Sequence, residues 1–184
     1  MSAPTIEQPL ADPLANYPSA TVACFDPTTG DLPRRELDGG RTISYLQRLK
    51  DAGAQAFLIA ASTGHGHLRT VGELEQWYHA AAEARLDGVV LTALLRPEDG
   101  PEANRRLAAM LADLGYAVAF VRPGRGLSTT TTENDVVANM APAVQAAAAA
   151  GLAVGLYSIP DVSGVPLTAN VAARLVVGPG GDRI

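Results

Sequence analysis

Short apolar runs alternate with longer amphipathic stretches along nearly the whole chain. The short runs are apolar at successive positions, a pattern typical of parallel strands that are buried on both faces. The longer stretches repeat their apolar residues at spacings of three and four, which predicts helices that cover a sheet. The pattern therefore predicts five strands, at 20–25, 56–60, 88–94, 116–121 and 152–159.

The helical stretches carry local signals for their buried faces and their starts. Leu46, Leu49 and Ala52 are predicted to line the buried face of the first helix. Thr70 and Glu73 have the spacing of a capping box, in which a hydroxyl and a carboxylate satisfy each other's free amides, so the second helix is predicted to begin there. The buried face of the third helix is assigned to Leu107, Met110, Leu111 and Leu114.

The predicted strands recur about every 30 residues, which is the length of one βα unit. Steady repetition of this unit predicts either a barrel or a doubly wound sheet. A dinucleotide-binding doubly wound domain has a Gly-x-Gly-x-x-Gly turn after its first strand, whereas the first strand here is followed by Phe25-Asp-Pro-Thr-Thr-Gly-Asp31. A small doubly wound module that binds a ligand stays open as an alternative.

We expect an α/β fold, a (β/α)8 TIM barrel of which this chain supplies roughly the first five βα units. A complete barrel has eight strands and about 250 residues, and Arg183 with Ile184 is similar to the opening of a sixth strand. The expected organisation is an N-terminal extension at 1–18 and a partial barrel domain at 19–184 that continues beyond residue 184.

Composition bears on partners and location. The chain has 184 residues, with 14 basic and 19 acidic side chains and a net charge of −5, so it has no basic footprint for nucleic acid. Its single cysteine, Cys24, cannot form an internal disulfide, which favours a reducing compartment, and we expect a cytoplasmic protein. The first residues lack a signal-peptide pattern, and no stretch reaches the roughly 18 apolar residues that span a bilayer. We expect neither nucleic acid nor a membrane as a partner.

Reacting groups of a βα barrel project from the carboxyl ends of its strands, so the residues after each apolar run are the candidates. The second strand is followed by Ser62, Thr63 and Gly64, whose hydroxyls and backbone amides can cradle a carboxylate. The alternative is that the two hydroxyls only cap the turn. The fifth strand delivers Tyr157, whose phenol can relay protons. The alternative is a rim tyrosine whose ring packs and whose hydroxyl meets solvent.

Other polar residues near the strand ends carry weaker signals. Arg122 and Arg125 follow the fourth strand and are candidate contacts for an anionic substrate group, although solvated loop arginines are the simpler interpretation. His65 and His67 would point the same way in a strand, but no third ligand accompanies them, so no metal is expected. Cys24 has no basic neighbour in sequence and is predicted to be a buried, inert thiol. No cofactor is implied.

Five features, taken in order, resemble one enzyme family. They are Phe25-Asp-x-x-x-Gly30, Asp38 at the head of the first helix, Lys50-Asp-Ala-Gly53, Ser62-Thr-Gly64 and Tyr157-x-x-Pro160. Their order and separation are similar to those of the dihydrodipicolinate synthase and N-acetylneuraminate lyase family, from about residue 17 to the last. The resemblance implies a (β/α)8 barrel, assembled as a tetramer or dimer, that catalyses aldol condensation or cleavage through a lysine Schiff base with pyruvate or a related 2-oxo acid.

The resemblance also implies roles for residues of this chain. Ser62 and Thr63 match the hydroxyl pair that binds the keto-acid carboxylate and helps to pass protons, and Gly64 is expected to leave the backbone amides accessible. Tyr157 matches the tyrosine that assists Schiff-base formation and proton transfer. A phenol beside a carboxylate cradle suits an imine-forming aldolase.

Several positions depart from the family pattern. In the family, the Schiff-base lysine belongs to the sixth strand, which is expected to lie beyond Ile184. The only lysine present, Lys50, is placed on the first helix. The 184-residue chain alone is therefore expected to be inactive. His65 replaces a glutamate after the hydroxyl pair. Gly124 and Arg125 stand where the family commonly has a tyrosine that completes a proton relay across a subunit interface.

A further departure bears on the substrate. After the fifth strand, Asp161-Val-Ser163 stands where many dihydrodipicolinate synthases present an arginine for the carboxylate of the aldehyde substrate. These departures argue against lysine biosynthesis. The leading hypothesis is a Schiff-base aldolase or lyase that acts on pyruvate and an unidentified aldehyde, or on a sugar-derived 2-oxo acid. The alternatives are a non-catalytic or regulatory paralogue of the same barrel and a doubly wound module that binds a small ligand.

Overall fold

A computed structural model describes residues 18–31 and 35–184. Except for Pro18, the predicted extension at 1–18 lies outside the described residues. The described residues contain one five-stranded parallel sheet, whose strands lie side by side in their sequence order. A doubly wound sheet instead reverses its strand order at a switch point, so the doubly wound alternative is wrong. The strands are β1 (Ser19–Ala20), β2 (Ala56–Ile59), β3 (Val90–Leu95), β4 (Val118–Val121) and β5 (Ala153–Leu156).

Helices separate the strands of the sheet. None of those that the structure describes combines the length and the apolar character that a bilayer crossing needs. They are α1 (Gly39–Asp51), α2 (Val71–Glu83), α3 (Pro101–Asp113), α4 (Glu133–Ala149), α5 (Pro160–Ser163) and α6 (Ala169–Val176).

Side-chain caps fix the starts of four of these helices. Asp38, Thr70, Thr132 and Thr168 each accept a hydrogen bond from the backbone N–H three residues further on. Each cap satisfies one of the free donors that a helix N-terminus leaves. The Thr70 cap is reciprocal, because the Glu73 carboxylate accepts from the Thr70 N–H at 2.7 Å, and the predicted capping box is confirmed.

The first of two compact units contains the described residues up to Ala93 together with Leu114–Ala117. Strands β2 and β3 pair in parallel register with Ala56 opposite Val90. Helices α1 and α2 pack against each other. Burial of large apolar side chains is the main stabilising contribution in this unit. Its largest fully buried side chains include Leu46, Phe57, Ile59, Leu74, Trp77 and Tyr78.

The second compact unit contains Leu94–Asp113 and Val118–Ile184. Strands β4 and β5 pair in parallel, with Val118 opposite Ala153 at the start of the register. Helix α4 packs against α3, against α6 and against both of these strands. The fully buried side chains of this unit include Leu107, Leu111, Ala143 and Met140.

The first strand is much shorter than the predicted run at 20–25. Cys24 instead uses its backbone to fix the start of α1, since its N–H donates to the Thr42 hydroxyl at 3.0 Å and its carbonyl accepts from the Asp38 N–H at 2.8 Å. A backbone group that is paired in this way cannot also take part in a sheet ladder. The apolar pattern predicted burial on both faces here, whereas Val22 is exposed. The pattern could not reveal this competing set of hydrogen bonds.

Two helical predictions and one strand prediction need correction. Ala52 was expected on the buried face of α1, but it is exposed as the residue that ends the helix. Leu49 of α1 and Met110 of α3 are only half-buried, and Leu114 lies after the end of α3 and is also half-buried. Arg183 belongs to a short 3-10 turn, Gly181–Arg183, rather than to the opening of a strand, because left-handed Gly180 turns the chain there.

Candidate active site at the strand ends

The turn after β2 is tightly constrained. It is bracketed by Ala60 and His65, which both adopt left-handed backbone angles, with φ of 61° and 62°. Between them, Ser62–Gly64 forms a single 3-10 turn. Left-handed angles are uncommon for residues with a Cβ atom and persist where the surrounding structure imposes them, often at functional sites.

Two glycines let this turn pack closely against its surroundings. A Cβ atom on Gly64 would lie 2.5 Å from Cη2 of Trp77 and 2.7 Å from the carbonyl oxygen of Thr21. A Cβ atom on Gly66 would lie 1.8 Å from the carbonyl oxygen of Ala60. No side chain fits at either position, so both glycines are required by packing rather than by a special backbone angle.

The turn leaves Ser62 and Thr63 with unused hydrogen-bonding groups. The N–H groups of Gly64 and His65 are used, since they donate to the carbonyls of Ala61 and Ser62 at 3.1 and 2.9 Å. Among the described residues, the N–H groups and hydroxyls of Ser62 and Thr63 have no hydrogen-bond partner. Neither hydroxyl therefore caps the turn. The expectation for Gly64 also changes, because its own amide is taken and the unused amides are those of the two hydroxyl residues.

The two histidines after this turn do not share a strand. His65 is the left-handed residue of the turn and is exposed, while His67 lies in the next 3-10 turn and is half-buried. Their ring centroids are 6.4 Å apart and the rings meet edge to face. Within the described ranges, no group of three or more His, Cys, Asp or Glu side chains could hold a metal ion.

Tyr157 continues the ladder of β5 by one residue. Its N–H donates to the carbonyl of Val121 at 2.9 Å, which extends the register of β4 and β5 to their carboxyl ends. The side chain is half-buried, and its ring meets the ring of Phe120 edge to face at 6.4 Å between centroids. The phenol therefore stands at the carboxyl end of the strand, as the apolar run predicted.

Arg122 is not the solvated loop arginine that its position in sequence suggested. Its side chain is fully buried, and both terminal nitrogens of the guanidinium donate to the carboxylate of Glu98. One of them, Nη1, also donates to the carbonyl of Pro123 at 2.8 Å. A charged group is buried at tolerable cost only when it is paired and hydrogen-bonded in this way.

The loop after β4 is fixed by further contacts. Arg125 is exposed, but its N–H donates to the Glu98 carboxylate at 3.4 Å. The N–H of Gly124 donates to Oδ1 of Asn139 at 2.7 Å, and a Cβ atom at this glycine would lie 2.8 Å from the same oxygen. Sequence reasoning missed Glu98 and Asn139, because no local spacing connects them to the loop that they hold.

A second buried ion pair follows β3. Arg96 donates through Nε and Nη2 to the carboxylate of Asp99, at 2.7 and 2.6 Å, and both side chains are almost fully covered. The side-chain amide of Asn104 donates to the carbonyl of Arg96 at 2.9 Å. The three-residue spacing of this arginine and aspartate was a signal in the sequence that could have found the pair.

Cys24 lies in the irregular segment after β1 and is half-buried. Burial, with the negative charge of Asp38 as a second cause, raises the pKa of its thiol. A raised pKa reduces the thiolate fraction, which is the nucleophilic form. Its environment therefore favours the predicted inert thiol, although partial exposure replaces the full burial that was expected.

The candidate residues are divided between the two compact units. Ser62, Thr63 and Gly64 belong to the first unit, and Arg122, Arg125 and Tyr157 belong to the second. Each set follows directly on a parallel strand, β2 for the first and β4 or β5 for the second.

Comparison with solved structures identifies the fold. The chain is 16% identical to the Ruminococcus gnavus sialic acid aldolase, solved as a catalytic lysine mutant, with a TM-score of 0.71 over 86% of this chain and 48% of that one. It is 19% identical to a dihydrodipicolinate synthase from Bacillus anthracis, with a TM-score of 0.68 over 86% of this chain and 50% of that one. It is 17% identical to the chloride-inhibited dihydrodipicolinate synthase from Acinetobacter baumannii complexed with pyruvate, with a TM-score of 0.69 over 89% of this chain and 52% of that one.

These structures belong to the family whose motifs the sequence resembles, and the predicted partial TIM barrel is confirmed. The chain spans about half the length of each of them. No protein-family model matches the sequence, and no curated protein does either.

Proposed function

We propose that this chain is part of a Schiff-base-forming aldolase or lyase that acts on pyruvate or a related 2-oxo acid. The observation that carries the proposal is the turn after β2, where Ser62 and Thr63 hold two hydroxyls and two N–H groups without partners among the described residues. A carboxylate accepts up to about four hydrogen bonds and therefore matches such a set of donors. A strained turn that the packing of Gly64 and Gly66 fixes keeps these donors in place before the substrate arrives.

Tyr157 supplies the second chemical group that the proposal needs. When a lysine amine attacks the carbonyl carbon of a 2-oxo acid, the carbonyl oxygen becomes a hydroxyl and must leave as water. A phenol can donate the proton that makes it a leaving group and can recover that proton afterwards. The place of Tyr157 at the carboxyl end of β5 is where a barrel enzyme presents a reacting group.

Two of the structural neighbours support this chemistry by their own properties. The Ruminococcus gnavus aldolase has a catalytic lysine, and the Acinetobacter baumannii enzyme binds pyruvate. Lys50 is the only lysine among the 184 residues and lies in the last turn of α1. This helix position is not the end of a strand, where a barrel enzyme presents its reacting groups. We therefore assign the imine to a lysine beyond Ile184 in the same polypeptide.

The experiment is reductive trapping with the full-length gene product. Borohydride reduces an imine to a stable amine, so incubation with pyruvate and borohydride should add the mass of one reduced pyruvate. Peptide mapping should place it on a lysine outside the 184 residues, and the 184-residue chain should gain no adduct. An adduct on Lys50, or none on the full-length protein, would refute the proposal, and the latter result would favour a non-catalytic paralogue.

Replacing Tyr157 with phenylalanine tests the role of the phenol. Turnover should fall by about a hundredfold or more while the apparent affinity for pyruvate changes little, because general acid–base catalysis commonly contributes that much to the rate. A convenient measurement is the exchange of the C3 protons of pyruvate with deuterium oxide, which needs no aldehyde. Unchanged exchange in the variant would show that Tyr157 does not carry protons.

A further inference from the structure

Three residues of the second unit share one face of the pair formed by β4 and β5. The register places Phe120 directly opposite Gly155, and Tyr157 follows two positions later on the same strand as this glycine. Because side chains two residues apart on a strand lie on the same face, the phenyl ring and the phenol belong to one surface. All three residues are half-buried, while Val118 at the start of the same face is buried. On the opposite face Ala119, Val121 and Val154 are buried and Leu156 is half-buried.

Gly155 leaves a notch that the phenyl ring occupies. A Cβ atom at this position would lie 2.4 Å from both Cδ1 and Cε1 of Phe120, much closer than van der Waals contact. Any other residue at 155 would therefore push the ring out of its present place. The glycine is required by the neighbouring ring, since its φ is not in the left-handed region.

From this notch the ring of Phe120 reaches the ring of Tyr157. Their centroids are 6.4 Å apart and their planes meet at 74°. This edge-to-face arrangement is the favourable one for aromatic pairs. It restricts the rotation of the tyrosine ring about its side-chain bonds, because a rotated ring would lose the contact.

We infer that Phe120 is a positioning residue for Tyr157 and that Gly155 makes the arrangement possible. The phenyl ring holds the phenol in one orientation at the end of β5, so that its hydroxyl is already placed when a 2-oxo acid binds. The role in turnover rests on the function proposed above, whereas the orientation of the tyrosine ring does not depend on it.

Three variants of the full-length protein separate positioning from a general loss of structure. Phe120→Leu removes the ring, Gly155→Ala displaces it without removing it, and Phe120→Tyr retains it. We expect the first two to lower the turnover of pyruvate C3-proton exchange by up to about tenfold with an unchanged apparent affinity, since an aromatic pair contributes about one factor of ten at most. Phe120→Tyr should retain most of the wild-type turnover. Phe57→Leu, at a fully buried position of β2, is the control for a core substitution and should leave turnover unchanged.

Combination with Tyr157→Phe makes the test specific. If the phenyl ring acts only through the phenol, Phe120→Leu should reduce turnover in the wild-type background and should have no further effect once the hydroxyl is gone. Equal effects in both backgrounds would overturn the inference, as would full turnover in Phe120→Leu or Gly155→Ala.

A readout without turnover distinguishes failure of this inference from failure of the proposed function. In protein with isotope-labelled tyrosine, the ring resonances of Tyr157 can be assigned by their loss in Tyr157→Phe. The ring of Phe120 should shift them, so they should move in Phe120→Leu and Gly155→Ala and stay near their places in Phe120→Tyr. Unmoved resonances would refute the positioning role even in an active enzyme, whereas a shift in a protein that traps no pyruvate would refute only the proposed function.

Discussion

At the scale of single residues, the pairing of Arg122 with Glu98 is the most demanding feature of the second unit. The arginine side chain is fully covered, while the glutamate side chain keeps 22% of its exposure. The carboxylate accepts from both terminal nitrogens of the guanidinium and from the N–H of Arg125. The partners are 24 positions apart in sequence. This separation explains why sequence reasoning treated the arginine as solvated.

Removing the carboxylate should leave a buried positive charge without compensation. We expect Glu98→Gln to destabilise the protein by about 3–5 kcal/mol, the usual cost of breaking a buried pair on one side. Urea unfolding of both proteins at neutral pH measures the difference. Glu102→Gln, an exposed carboxylate in the first turn of α3, is the matched control and should cost less than about 1 kcal/mol. Similar costs for the two variants would show that the charge of Arg122 is compensated by another group.

Local signals succeeded at this scale where the partner was close in sequence. The capping box of Thr70 involves residues three apart and follows from their spacing. Asp38 was placed at the head of α1 only by the family resemblance, and it caps that helix through the N–H three residues on. Asn139 could not be found in this way, since it lies 15 positions from the Gly124 amide that it holds. The unused donors of Ser62 and Thr63 were predicted as a candidate site, but only the structure shows that neither hydroxyl caps its own turn.

At the scale of elements, the turn after β2 depends on glycines that have no space for a side chain. Gly66→Ala should disrupt it, because the added Cβ atom would lie 1.8 Å from the backbone oxygen of Ala60, which cannot move aside as a flexible side chain would. We expect a large loss of stability, of about 2 kcal/mol or more, as for other severe strain at a fixed backbone. Gly72→Ala is the control, since nothing lies within 4 Å of a Cβ atom there and the position is in α2.

Thermal or urea unfolding of the two glycine variants gives the comparison directly. Gly72→Ala should leave the stability unchanged or raise it by up to about 1 kcal/mol, because alanine favours the helix. Equal stability of Gly66→Ala and the wild type would show that the turn does not have the close packing described here.

A second prediction at this scale concerns the starts of α4 and α6. The hydroxyl of Thr168, at 2.6 Å, and the side-chain amide of Asn170 both donate to the carboxylate of Glu133. These hydrogen bonds lower the pKa of the Glu133 carboxyl, and the one from Thr168 is the larger cause. A carboxyl with a lowered pKa in the folded state stabilises the protein above its unfolded-state pKa and loses that contribution as the pH falls through the folded-state value.

Acid should therefore weaken the wild type more than a variant without this carboxylate. When the pH is lowered from 6 to 3, the urea midpoint of Glu133→Gln should fall less than that of the wild type. This pH range includes roughly the ordinary pKa of a glutamate and values below it. Asn134→Ala, an exposed change in the same turn of α4, should preserve the wild-type pH dependence. Parallel pH profiles for Glu133→Gln and the wild type would contradict the proposed linkage.

At the scale of the whole molecule, hydrophobic periodicity predicted the repeating βα units well. It predicted the first and last residues of their strands and helices less well. The four strands from β2 to β5 lie inside or within one residue of their predicted runs, because each is a short apolar segment between turns. The first strand failed, since the hydrogen bonds of Cys24 to the start of α1 replace those of a ladder. The strand order, which distinguishes a barrel unit from a doubly wound sheet, was left open by periodicity and needed both the resemblance and the structure.

Above all, we propose that the turn after β2 binds the carboxylate of a 2-oxo acid. The most direct measurement is a crystal structure of the full-length protein trapped with pyruvate. We predict that the carboxylate lies within about 3 Å of the hydroxyls or amides of Ser62 and Thr63, the usual hydrogen-bond distance. A trapped pyruvate whose carboxylate does not contact this hydroxyl pair would contradict the proposal.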